Sequence, residues 1–141
     1  MSDILFRPVI REDLDQLFPL LEQLTGIHYH SRNKNECWKL FSSNTAINSI
    51  VGIIDKKIVT YGSIIIENKI HGSISGHIED IVVDSNFRGL GIGEKLIHEL
   101  VEIGENKKCN RITLFCKEHL VDFYGKNRFY INNLAMKRFI E

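Results

Sequence analysis

The sequence predicts a single domain of mixed α/β or α+β class, and three observations support this. The chain has 141 residues, a length at which one hydrophobic core closes. Runs rich in β-branched residues are interspersed with runs of helical periodicity. At residues 76–101 a strand-like run leads through a glycine-rich turn into a helix-like run. We therefore expect one domain over residues 1–141.

The N-terminal part predicts a strand followed by a helix. Residues 4–10 are rich in β-branched and aromatic residues, and Pro8 indicates a strand at a sheet edge. Residues 12–24 carry leucines at helical spacing. Pro19 lies inside that pattern and predicts a kink or a break, whereas Gly26 predicts the end of the helix.

The rest of the chain alternates between the two patterns. Further strands are predicted over residues 49–54, 58–67, 76–84 and 111–116, and one or two more within 129–140. Further helices are predicted over residues 35–41, from Ile92 through Val101, and over 119–126. A turn at residues 55–57 joins two of the strands as a hairpin.

Composition limits the classes of partner. Lysine plus arginine and aspartate plus glutamate each number 18, so the formal net charge is zero. Zero charge argues against a nucleic-acid coat or a binder of anionic membranes. No apolar run approaches the length of a membrane span. Three cysteines without metal-like spacing, and no signal-peptide pattern, predict a cytoplasmic protein.

The strongest chemical signal is the glycine-rich turn at residues 88–93. Glycines let backbone N–H groups approach a ligand, and the helix that begins there favours a phosphate. A P-loop requires Gly-Lys-Ser/Thr, and Glu94 after Gly93 excludes it. The spacing fits a dinucleotide-binding fold poorly. A turn that serves only packing remains open as an alternative.

The run Arg88-Gly89-Leu90-Gly91-Ile92-Gly93 resembles the Arg/Gln-x-x-Gly-x-Gly/Ala signature of the GNAT superfamily of N-acetyltransferases. In that superfamily the loop binds the pyrophosphate of acetyl-CoA. The resemblance implies the GNAT acyltransferase fold, a mixed and mostly antiparallel sheet of six to seven strands flanked by about four helices.

A second string, Gly76-His77-Ile78-Glu79-Asp80-Ile81-Val82-Val83-Asp84, is similar to glucosamine 6-phosphate N-acetyltransferases. This resemblance implies acetyl transfer from acetyl-CoA to the amine of glucosamine 6-phosphate, a step of UDP-N-acetylglucosamine biosynthesis. It also implies a homodimer and no metal. Two alternatives stay open: a GNAT enzyme acting on another small amine or a protein N-terminus, and an acetyl-CoA-binding module without turnover.

The resemblance also implies site residues. Those assigned to acetyl-CoA are Ile81, Val82, Val83, Arg88, Gly89, Leu90, Gly91, Ile92, Gly93, Tyr124 and Lys126. Those assigned to the sugar phosphate are Thr25, Lys69, His71, Glu79, Asp80, Phe115 and Arg138. Tyr124 is the expected general acid, since a phenol of pKa about 10 roughly matches an alkyl thiol. Glu79 is the second expected catalytic group, through a water-mediated proton transfer from the amine.

Three positions around the acceptor and the thiol depart from the family pattern, and one of them is Arg128-Phe129, where the family usually has Gly-Phe after the tyrosine helix. Phe115 stands where the family usually has an acidic residue, directly before Cys116. Leu120 stands where the family has an asparagine. The work of the missing acid could fall to the Phe115 carbonyl, to Glu79 or to solvent. Because Glu79 and Asp80 are neighbours on a predicted strand, we expect their side chains to point to opposite faces.

Overall fold

A computed structural model describes residues 3–140 and contains a five-stranded sheet. The strands, in spatial and chain order, are β1 (Leu5–Pro8), β2 (Ile47–Ile54), β3 (Lys57–Asn68), β4 (Ile74–Val83) and β5 (Arg111–Leu114). Strands β1 to β4 pair antiparallel with one another, whereas β4 and β5 are parallel. A parallel pair needs a long crossover, and a helix supplies it here.

Four helices accompany the sheet, as the resemblance implied. They are α1 (Leu14–Thr25), α2 (Lys34–Ser42), α3 (Ile92–Asn106) and α4 (Val121–Lys126), with short 3-10 turns at Arg11–Asp13, Ser85–Phe87 and Glu118–Leu120. The predicted break at Pro19 is wrong, because α1 runs through it. The N–H that proline lacks would have bonded near the helix start, while Leu14, Leu17 and Leu20 anchor the helix in the core.

Local sequence signals set several of the boundaries. Gly26 caps α1 in the left-handed conformation, at φ 71°, and its N–H donates to the Glu22 carbonyl at 2.8 Å. Asp55 and Lys56 both have positive φ and form the two-residue turn between β2 and β3, which confirms the predicted hairpin.

The sheet separates two apolar layers. On one face, the leucines of α1 pack on Val51, Ile58, Tyr61 and Val82, and Trp38 of α2 borders this cluster. On the other face, Leu96, Ile97 and Leu100 of α3 pack with Tyr124 of α4 on Ile50, Ile64 and Ile78. Outside the β-bulges, each strand therefore presents alternate residues to α1 or to α3. We call these the α1 face and the α3 face.

The C-terminal segment departs from the prediction. The sheet has five strands rather than six to seven, and residues 129–140 contain no strand. From Tyr130 onward their side chains are exposed, to 93% for Leu134 and 97% for Met136, whereas Phe129 packs against the core. The segment has strand-forming residues, but β-propensity reflects packing against a pleated neighbour. No strand among residues 3–140 pairs with this segment, although β1 and β5 each have an unpaired edge. None of the described helices combines the length and apolarity needed to cross a membrane.

Candidate active site

The parallel strands β4 and β5 separate halfway along β4. They pair from Ser75 opposite Arg111 to Ile78 opposite Leu114, and β5 then ends. β4 continues to Val83, and on the β5 side no strand within residues 3–140 pairs with residues 79–83. We call this gap, between residues 79–83 and the chain from Phe115 onward, the fork. Its edge offers backbone N–H and C=O groups to a ligand.

A β-bulge lies at the start of the fork. Ser63 pairs with Glu79 and Tyr61 with Val82, so Asp80 and Ile81 together face the single residue Gly62. Asp80 is the extra residue and has a left-handed φ of 57°, which aspartate tolerates better than most residues. The predicted alternation between Glu79 and Asp80 rests on regular strand pairing, and the bulge interrupts that pairing at Asp80.

The two carboxyl groups at the bulge hold protons more readily than ordinary ones. Both residues are exposed, yet protein atoms crowd their carboxyls and reduce hydration. This desolvation raises the pKa of Glu79, the charge of Asp80 raises it further, and His77 opposes the shift. Desolvation also raises the pKa of Asp80. The carboxyl groups of Glu79 and Asp80 can therefore make polar contacts at the fork and can accept a proton there.

The glycine-rich turn lies beyond the end of β4. Gly89 and Gly91 adopt φ of 77° and 78°, and Gly91 begins α3 without a side-chain cap. The first N–H groups of α3 therefore lack a capping acceptor, which suits an anion. Arg88 lies beside them, and its Nε donates to the Val83 carbonyl at 3.3 Å. This contact ties the turn to the fork.

Tyr124 closes the fork from the α3 face. A Cβ on Gly93 would lie 3.2 Å from the Phe123 ring, so glycine allows α4 to pack against the start of α3. Tyr124 is 7% exposed. Burial raises the pKa of its phenol, and the Cys116 thiol adds to this. Within residues 3–140 its hydroxyl has no hydrogen-bond partner. Every fully enclosed side-chain polar atom of the described residues does have a partner. The hydroxyl therefore reaches accessible space.

The structure brings one group of predicted residues to the fork. Residues 79–83, the turn at 88–93, Phe115 and Tyr124 surround it. Thr25 lies at the same end of the sheet, because the Ser85 N–H donates to Gln23 Oε1 of α1 at 2.9 Å. The Thr25 hydroxyl lies 2.8 Å from that of Tyr29. Lys126 ends α4, two residues after Tyr124.

Three predicted sugar-phosphate residues lie elsewhere in this single chain. Lys69 and His71 precede β4, and Glu79 lies five residues beyond Ile74, the start of that strand. At about 3.3 Å per residue this places their loop roughly 16 Å from Glu79. Lys69 pairs with Glu67 at 2.8 Å. Arg138 lies in the exposed C-terminal segment.

Sequence reasoning missed His77 as a member of the site. Its Nδ1 lies 3.0 Å from Thr113 Oγ1, and its ring meets Phe115 edge-on at 4.8 Å. The available signal was the spacing, since residues 77 and 79 of one strand share a face. A cavity of about 490 Å³ between α2, β2 and the end of α3 contains none of the fork residues. The described residues hold no cluster of three or more potential metal ligands.

Comparison with known proteins agrees with this geometry. The model of the acetyltransferase (GNAT) family matches residues 10–129. Glucosamine 6-phosphate N-acetyltransferase 1 of Dictyostelium discoideum is 32% identical over 97% of this chain and 91% of its own length. The crystal structure of glucosamine-6-phosphate N-acetyltransferase from Arabidopsis thaliana superposes with a TM-score of 0.89, at 26% identity, over 99% of this chain and 100% of that one.

A Trypanosoma brucei acetyltransferase superposes with a TM-score of 0.90 at 29% identity, covering 98% of this chain and 100% of that one. These matches span the strands and helices that form the fork, and they confirm the resemblance seen in residues 76–93. The chain belongs to the acetyltransferase (GNAT) family.

Proposed function

We propose that this protein transfers the acetyl group of acetyl-CoA to the amine of glucosamine 6-phosphate. The products are N-acetylglucosamine 6-phosphate and CoA, a step of UDP-N-acetylglucosamine synthesis. The observation that carries the proposal is the fork, which lies between an uncapped helix start and the Tyr124 hydroxyl. The names of the similar proteins support the choice of acceptor.

The proposed cofactor site runs along the fork. The N–H groups from Gly89 through Gly93, with Arg88, hold the pyrophosphate of acetyl-CoA, and the backbone of residues 81–83 pairs with its pantetheine arm. Leu90 and Lys126 flank the cofactor. Side chains of Ile81 and Val82 pack in the core, so the proposed contacts are made by their backbone. Holding the thioester near the amine supplies much of the rate acceleration.

Tyr124 is the proposed general acid. Burial raises the pKa of its phenol, so it remains protonated at neutral pH. It gives that proton to the sulfur that departs as the amide forms. Backbone N–H groups at the bulge stabilise negative charge on the carbonyl oxygen. No residue forms a covalent bond with the acetyl group.

The acceptor is proposed to lie on the α1 face of the fork. Glu79, Asp80 and Thr25 supply polar contacts there, and Phe115 supplies an apolar wall that is 72% exposed. Arg138, with Lys69 and His71, supplies positive charge for the phosphate. Because these three lie away from the fork in one chain, their participation calls for a second subunit.

We propose a homodimer of single-domain subunits, each spanning residues 1–141, in the cytoplasm. The support is the C-terminal segment, whose apolar side chains find no cover in the described chain: Tyr130, Ile131, Leu134, Met136, Phe139 and Ile140 are all exposed. Apolar area of this extent marks an interaction surface. A truncation after Phe129, which keeps the packing of that ring against Tyr124, should yield monomers in sedimentation velocity. Unchanged dimers would exclude the segment, and a monomeric wild type would exclude the dimer.

Thiol release from acetyl-CoA tests the reaction. Release with glucosamine 6-phosphate is the expected result. Release with other amines alone supports a different acceptor, and acetyl-CoA binding without release with any amine supports a binding module. Tyr124→Phe should lower kcat by about 100-fold with little change in the Kd of acetyl-CoA. Tyr130→Phe, which removes an exposed hydroxyl, is the matched control and should retain the wild-type rate. An unchanged kcat in Tyr124→Phe would remove the proposed acid.

A further inference from the structure

His77 lies on the face of β4 that the acceptor must use. Ile78 packs among Leu96 and Leu100 of α3, so its neighbours His77 and Glu79 both point to the α1 face. On the α3 face the fork is covered by α3 and by Tyr124 of α4. An amine that reaches a thioester in the fork therefore approaches from the side of His77 and Glu79.

The His77 imidazole is fixed at two points. Its Nδ1 lies 3.0 Å from Thr113 Oγ1, and Phe115 packs against the ring edge-on at 4.8 Å. When Nδ1–H donates to the threonine oxygen, the lone pair of Nε2 is free to accept a proton. Within residues 3–140, Nε2 has no hydrogen-bond partner, so this lone pair is not engaged by the protein.

Charged side chains of β3, β4 and β5 flank the ring. Glu79 shares its strand and face, and Glu67 projects from β3 beside it; His77 acts to lower the pKa of both carboxyl groups. Lys69 pairs with Glu67 at 2.8 Å and offsets part of that negative charge. On β5, Arg111 precedes Thr113 by two residues and therefore lies on the same face. Of these two glutamates, Glu79 is therefore the one without an ion-pair partner among the described residues.

We propose that His77 accepts the proton of the acceptor's ammonium group, with Thr113 holding its ring. This inference rests on the proposed function. An N–H bond of the ammonium breaks and an Nε2–H bond forms, which frees the nitrogen lone pair for attack on the thioester carbonyl. The imidazolium later returns the proton to water. The side chain of Phe115 has no proton-accepting group, and imidazole is the side chain whose ordinary pKa best suits a base at neutral pH.

The dependence of kcat/KM on pH tests the proposal. His77→Gln should lower kcat/KM for glucosamine 6-phosphate by about 100-fold near pH 7. The loss should shrink below about tenfold above the pKa of the substrate amine, because free amine is then abundant and no base is needed. His77→Asn keeps a polar atom near Thr113 but, like the glutamine variant, lacks a basic imidazole nitrogen. It should show the same loss and serves as the second variant if His77→Gln folds poorly. His98→Gln, on the exposed side of α3, is the matched control.

A constant loss at all pH values, or no loss, would overturn the role of His77, since a structural defect does not depend on the ionisation of the substrate. Thr113→Val should cause a smaller loss of kcat/KM that also depends on pH. Thr113→Ser, which keeps the hydroxyl, should restore kcat/KM. Failure of the proposed function is distinguishable. In that case the wild-type protein releases no thiol with glucosamine 6-phosphate at any pH, whereas failure of this inference leaves the wild type active.

Discussion

Gly62→Ala probes the packing that holds the bulge in place. An alanine Cβ at this position would lie 2.6 Å from Ile81 Cδ1, 3.0 Å from Leu100 Cδ1 and 3.2 Å from Leu96 Cδ2. Carbon atoms in contact prefer about 3.5–4.0 Å. Both leucines are fully buried and have little room to retreat, so Ile81 at the fork must move.

Overpacking of this kind costs about 1–3 kcal/mol. The smaller conformational freedom of unfolded alanine returns about 0.4–1 kcal/mol. We therefore expect Gly62→Ala to lower the free energy of unfolding by about 1–2 kcal/mol. Urea denaturation measures this. The matched control is Gly125→Ala, where a Cβ meets nothing within 4 Å, and we expect it to be neutral or slightly stabilising.

A double-mutant cycle identifies the contact responsible. Ile81→Val removes the Cδ1 atom nearest the new methyl group, so the double variant should be more stable than the sum of the two single changes predicts. Equal or higher stability of Gly62→Ala relative to wild type, or additive effects in the cycle, would refute the reasoning.

Three further predictions concern other contacts. Asp13→Asn should cost about 1–3 kcal/mol at neutral pH in urea titrations, because Asp13 accepts two 2.7 Å hydrogen bonds from Arg7. Burial alone would raise the pKa of Asp13, yet the hydrogen bonds from Arg7 and from the Ile10 N–H lower it overall. The wild type should therefore be more stable than the variant at pH values above 3.8, the ordinary pKa of aspartate, and this difference should vanish as pH falls through the lowered pKa. Gly91→Ala, at φ 78° with no atom near the new methyl group, should cost about 1–2 kcal/mol from backbone strain alone and weaken acetyl-CoA binding in calorimetry; Gly91→Asn should cost less. Tyr61→Phe removes a hydroxyl that accepts from Ser63 at 3.0 Å and should cost about 1 kcal/mol, measured by thermal unfolding.

The sequence predicted the parts of the fold that depend on neighbouring residues. Leucine spacing located α1, and the glycine turn located the start of α3, since periodicity and turn chemistry are local properties. Pro19 misled because tertiary packing of the α1 leucines outweighed one lost hydrogen bond. Residues 129–140 misled because strand-forming composition does not reveal whether the segment pairs with an edge strand.

The parts of the candidate site that lie within a sequence motif were predictable, whereas the parts that depend on long-range strand pairing were not. The strings at residues 76–84 and 88–93 indicated the cofactor region. The contact between His77 and Thr113 depends on parallel pairing of strands 36 residues apart. The bulge at Asp80 depends on the register with β3. Neither feature follows from the order of residues without the long-range pairing.

Asp80, the extra residue in β4, lengthens the backbone without changing the face to which the neighbouring side chains point. Glu79 and Val82 point to the α1 face while Ile78 and Ile81 point to the α3 face, which is the pattern that an uninterrupted strand would show if Asp80 were excised. Deleting this one aspartate should thus preserve every buried contact of β4 and straighten the strand toward β5.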